Sequence, residues 1–74
     1  MVSCYLYAKV KGSKVFRAFD IRRGCCVSNL MYATVMPDTE EMKETLQSAS
    51  EWCRGLGIVF QMRTDKGKVI FQTT

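Results

Sequence analysis

The chain has 74 residues, 47% hydrophobic and 24% charged, with a net charge of +4 and no histidine. That is the size and balance of one folded domain, residues 1–74, without a linker or a disordered tail. No run approaches membrane-spanning length and no basic segment leads into an apolar one at the start, so no membrane partner is expected and the cytoplasm is the default location.

Residues 2 to 10 alternate strictly, with Val2, Cys4, Leu6, Ala8 and Val10 on one side and Ser3, Tyr5, Tyr7 and Lys9 on the other. This is the pattern of a half-buried strand. Gly12-Ser13, between Lys11 and Lys14, reads as a two-residue hairpin loop with glycine supplying the positive φ of a type II′ turn. The register that follows sets Val10 against Val15, Ala8 against Arg17, Leu6 against Phe19 and Cys4 against Ile21 on the inner face. On the outer face Lys9 meets Phe16, Tyr7 meets Ala18 and Tyr5 meets Asp20.

Arg22 to Cys26 breaks the alternation as a turn or bulge. Residues 27 to 36 are apolar on both faces and read as a third strand, central or covered on its second face, which Pro37 ends because it has no N–H to give a ladder. Residues 38 to 55 are the one segment with helical spacing. Met42, Leu46, Ala49, Cys53 and Leu56 form its apolar stripe, widened by Thr45 and Trp52, with Ser50 among the polar residues opposite. Asp38 is the expected cap, with Glu41 at capping-box spacing, and Gly55 and Gly57 offer termination.

Two more strands follow, 58 to 63 and 69 to 73, joined at Asp65-Lys66-Gly67. A two-residue Lys66-Gly67 loop places Met62 against Phe71 and Thr64 against Val69 inside, with Arg63 against Ile70 and Gln61 against Gln72 outside. A three-residue loop would misalign polar and apolar residues. The element order is therefore β-β-β-α-β-β, an α+β domain with a mostly antiparallel sheet and one amphipathic helix packed on one face. Strand order is not fixed by the sequence, since a helix of this length can cross to either edge.

The chemistry-bearing inventory is short. Without histidine the usual general base at neutral pH is missing, the carboxylates gather on one helix, and no glycine loop precedes a helix, so an enzyme is not expected. The four cysteines lack C-x-x-C spacing, which argues against a metal site, and no cofactor is implied. Cys4 and Cys53 fall on apolar faces, and Cys25-Cys26 reads as a buried thiol pair at a turn.

Charge is unevenly spread. Residues 1 to 36 carry +5, residues 37 to 56 carry −3 and the remainder +2. A basic sheet with an acidic helix on one side leaves the other side to an anionic partner. Tyr5, Tyr7 and Phe16 offer stacking faces there, and Lys9, Lys11, Lys14 and Arg22 offer charge, a combination suited to single-stranded nucleic acid. The alternative is a protein-interaction module, a homodimer paired through the same sheet face, because one helix covers only part of such a sheet and a chain this short gains from burying more.

Overall fold

A computed structural model describes residues 3–73; Val2 and the side chain of Arg54 lie outside the described residues. The strands are β1 (Ser3–Lys9), β2 (Arg17–Asp20), β3 (Cys25–Cys26), β4 (Val35–Pro37), β5 (Val59–Arg63) and β6 (Val69–Gln72), with one α-helix, α1 (Glu40–Trp52), between β4 and β5. The main path of the sheet runs β3-β2-β1-β5-β6, and β4 also pairs with β1. All five pairings are antiparallel. β5 occupies one edge of β1 from Tyr5 to Lys9, so β2 and β4 divide the other edge between them. The protein is an α+β fold with its helix on one side of the sheet.

The core lies between α1 and the inner face. Cys4, Leu6 and Ala8 of β1, Phe19 of β2, Met36 of β4, Phe60 and Met62 of β5 and Leu46 of α1 form one buried cluster. Phe19 and Phe60 meet edge to face with ring centroids 5.7 Å apart. Thr73 completes β5. Its N–H donates to the Phe60 carbonyl at 2.9 Å and its hydroxyl accepts from the Phe60 N–H at 3.0 Å, so a side chain closes the ladder where the backbone stops.

The first hairpin keeps its expected register but only over two pairs, Tyr7 with Ala18 and Ala8 with Arg17. The turn centres on Lys11-Gly12 instead of Gly12-Ser13: Ser13 N–H donates to the Val10 carbonyl at 3.0 Å, and Gly12, at φ +88°, takes the left-handed third position of a type II turn. Val10 and Val15, expected as an inner pair, are both exposed because the ladder ends at Lys9 and Arg17. Below Tyr7 the strands separate. Thr34 inserts, donating its N–H to the Phe19 carbonyl at 3.0 Å and accepting from Leu6 at 2.9 Å. Tyr5 and Cys4 then face Val35 and Met36 of β4, in place of Asp20 and Ile21.

The expected third strand over 27 to 36 is therefore wrong in its first part. Asn29 caps a 3₁₀ turn, Leu30–Tyr32, by accepting from the Met31 N–H at 3.1 Å, and only Val35–Pro37 is extended. A strand apolar on both faces needs cover on both, and one helix supplies one. The Ser28-Asn29 pair favours a turn locally, since short polar side chains compete for backbone N–H groups. Met31 is left 71% exposed.

The second hairpin uses the three-residue loop. Thr64 N–H donates to the Lys68 carbonyl, and Gly67 N–H, at φ +86°, to the Thr64 carbonyl, both at 2.9 Å. A turn followed by a left-handed glycine has this form. The misalignment is corrected by a bulge beside Met62 and Arg63. Gln61–Gln72 and Met62–Phe71 pair as expected, while Arg63 faces Val69, so Ile70 is the extra residue. Ile70 and Phe71 both reach the core as a result.

In α1, Leu46 and Ser50 are buried, with Met42 and Ala49 packed beside them. Ser50 belongs to the stripe, one turn after Leu46, and its hydroxyl lies 3.5 Å from the Ile58 carbonyl it donates to. Trp52, expected to widen the stripe, is 90% exposed, and Thr45 and Leu56 are exposed too. At ~100° per residue Trp52 stands ~120° round from Leu46. Thr39 is the cap, accepting from the Met42 N–H at 3.2 Å. Asp38 lies one residue too early to do so and instead faces Lys43 at 3.7 Å. Gly57 at φ +67° turns the chain into β5; Gly55 has no positive φ. No helix among the described residues is long and apolar enough to cross a membrane.

Candidate nucleic-acid interface

The face of the sheet away from α1 is built by alternation along β1. Tyr5 stands opposite Val35 on one side and Arg63 on the other, Tyr7 opposite Ala18 and Gln61, and Lys9 opposite Val59. Outward positions on neighbouring strands lie within reach of long side chains along the diagonal. Arg63 uses that reach: its guanidinium carbon is 4.3 Å from the centre of the Tyr7 ring and 5.7 Å from that of Phe16. The Lys9 ammonium is 5.3 Å from the same Phe16 ring. The result is a run of alternating flat and charged groups, Tyr7, Arg63, Phe16 and Lys9.

Arg63 is fixed by a hydrogen bond to Gln61 of its own strand, which is in turn tied to Gln72 on the edge strand β6. Its Nε donates to Gln61 Oε1 at 2.9 Å, and Gln61 Nε2 donates to Gln72 Oε1 at 2.6 Å. Gln61 is 5% exposed although it points outward, so its amide is tied on both sides beneath the arginine. A planar guanidinium held this way presents a surface that an ammonium cannot.

The electrostatics of the two layers differ. Among the described residues the ion pairs are Arg23 with Asp20 at the β2–β3 turn, and Lys43 with Asp38 and Glu40 on the helix side. The Lys43 ammonium donates to Glu40 and lies near Asp38, which holds it above its usual pKa. None of Lys9, Lys11, Lys14 or Arg63 has a carboxylate partner among the described residues, so this face offers uncompensated positive charge.

Of the residues singled out from the sequence, Tyr5, Tyr7, Lys9 and Phe16 are half-buried and share this face. Lys11 is exposed and extends it, lying across from Gly57, where an added Cβ would come 2.8 Å from Lys11 Cβ. Lys14 is exposed in the loop. Arg22 stands apart, lining a shallow depression with Asp20, Tyr32, Thr34 and Val35. Sequence reasoning placed Arg63 and Gln61 outward but missed them as site residues. The signal absent was that β5 is the neighbour of β1; once that is known, Arg63 falls one diagonal from Tyr7.

The four cysteines are free thiols. Cys4 is in the core, where burial pushes its thiol pKa up, and Cys26 packs against the core. Cys25 is exposed, which corrects the expectation of a buried pair: both lie in β3, and adjacent strand residues point to opposite faces. The large exposed apolar side chains, including Met31, Tyr32, Val35, Trp52 and Leu56, stand outside the Tyr7–Phe16 cluster. No protein-family model, no curated protein and no solved structure matches this chain.

Proposed function

We propose that this chain is a non-enzymatic cytoplasmic binding module that takes single-stranded nucleic acid on the outer face of its sheet. The observation that carries the reading is the Arg63 guanidinium held over Tyr7 and beside Phe16, on a face whose cations have no carboxylate partner among the described residues. Bases stack on aromatic rings and on guanidinium planes alike, and every base has a π-face, so such a surface binds with little sequence preference. Lys9, Lys11 and Lys14 border it and neutralise phosphates. Tyr5 extends the flat surface along β1.

The test is an anisotropy titration with a labelled oligothymidylate between about 50 and 200 mM salt, where released counterions make affinity fall as salt rises. Lys9→Gln with Lys14→Gln flattens the slope. Tyr7→Ala weakens binding by about 1–3 kcal/mol and keeps the slope. Absence of binding at low salt, or a Tyr7→Ala variant altered only in oligomeric state, rejects the reading.

A second reading is a homodimer paired through the sheet. Val35, next to Tyr5 on the outer face, is 54% exposed and so offers apolar surface at the border of the site. Sedimentation separates the two readings: a dimer that masks Tyr5 and Tyr7 excludes oligonucleotide from them.

A further inference from the structure

The depression that Arg22 lines lies between the end of β2 and the start of β4. Its rim is tied from both sides. The Asp20 carboxylate accepts from the Arg22 backbone N–H at 3.0 Å and from the Thr34 hydroxyl at 3.5 Å, and Thr34 Oγ1 in turn accepts from the Ile21 N–H at 2.9 Å. The second carboxylate oxygen of Asp20 faces Arg23 at 3.5 Å. That carboxylate is spent on its own turn. The Arg22 side chain is exposed and has no ion-pair partner among the described residues. Tyr32 comes from the 3₁₀ turn on the far side, with the Arg23 guanidinium 5.8 Å from its ring centre and 54% of its surface open.

This constellation repeats the chemistry of the Tyr7–Arg63 cluster: an aromatic ring, a guanidinium beside it and an uncompensated cation. It also continues the same surface. Val35 lines the depression and is the cross-strand partner of Tyr5, which stands two residues, roughly 7 Å, along β1 from Tyr7.

We propose that the depression is a second stacking station for the same strand, with Tyr32 taking a base and Arg22 the adjoining phosphate. A bound strand then runs along β1 from Phe16, past Tyr7 and Tyr5, to Tyr32. This rests on the single-strand reading and adds to it a length requirement: a short oligonucleotide fills one station and a longer one both.

The experiment compares oligothymidylates of three and of twelve nucleotides on wild-type protein and on the Tyr7→Ala, Tyr32→Ala, Tyr32→Phe and Arg22→Gln variants. The expected result is that Tyr32→Ala weakens the twelve-mer by about 5- to 150-fold and leaves the three-mer unchanged, while Tyr32→Phe restores the twelve-mer. Arg22→Gln lowers the salt slope for the twelve-mer by about 0.7. Thermal melting of Tyr32→Ala checks that this exposed side chain is not needed for folding. The second station is overturned if Tyr7→Ala weakens both lengths while Tyr32→Ala weakens neither, or both equally. Failure of wild-type protein to bind either length overturns the single-strand reading itself.

Discussion

The two faces of β1 are made of alternate residues of one strand and are held by different physics. On the inner side Cys4, Leu6 and Ala8 are essentially inaccessible and belong to one apolar cluster. On the outer side Tyr5, Tyr7 and Lys9 are half-buried, and what covers Tyr7 is a guanidinium anchored by glutamines. The inner face is therefore specified by volume and the outer by geometry. A methyl group lost inside leaves a cavity, whereas a group lost outside is replaced by water. The sheet can carry stability on one side and leave the other to recognition.

Substitutions sharpen that contrast, beginning with the largest effect. Leu46→Ala empties the centre of the helix stripe and should lower stability by about 2–5 kcal/mol in a urea titration; a loss below 1 kcal/mol would mean that the core is not where it is described. Gly57→Ala should follow at about 1–3 kcal/mol, since the residue sits at φ +67° and the new Cβ would meet Lys11 Cβ at 2.8 Å. Combining it with Lys11→Gly should recover the steric part of the loss but not the conformational part, which calorimetric melting of the four proteins would resolve.

Arg63→Lys moves the comparison to the outer face. It keeps the charge and removes the plane, so binding to a twelve-mer should weaken by about 1–2 kcal/mol with an unchanged salt slope. Equal affinity in the two proteins would reduce the arginine to a point charge. Trp52→Ala closes the series, with a change of stability within about 0.5 kcal/mol because the indole is 90% exposed.

The centre of the inner face was legible, because period-2 alternation places Cys4, Leu6 and Ala8 and helical spacing places Met42, Leu46 and Ala49, while Val10 and Trp52 at the ends of those patterns are exposed and Ser50 takes a buried place. Turn chemistry was less so. Gly12 marks a positive φ in the sequence, but glycine serves a type II turn one position away as readily as a type II′ turn. At Gly67 the longer loop misaligns polar and apolar residues unless a bulge realigns them, and a bulge leaves no mark in a single sequence. The strand over 27 to 36 failed for a tertiary reason: its apolar residues needed a cover that the chain does not have. For the site, the outward residues of each hairpin were legible one hairpin at a time. The contact between Arg63 and Tyr7 was not, because it depends on a pairing between strands more than fifty residues apart.

That pairing has a consequence in time. β1 finds partners at residues 17–18, 35–37 and 59–63, and the last is the most extensive, so the longest strand of the sheet waits for nearly the whole chain. Non-local pairing must overcome loop-closure entropy before it is rewarded, which places folding toward the slow, millisecond-to-second end for a domain of this size. During synthesis the first hairpin emerges with Leu6 and Phe19 uncovered, and neither Leu46 nor Phe60 is yet available to meet them. The first strand therefore gains its longest partner only once residues 59–63 are available, after α1 and ahead of β6 alone.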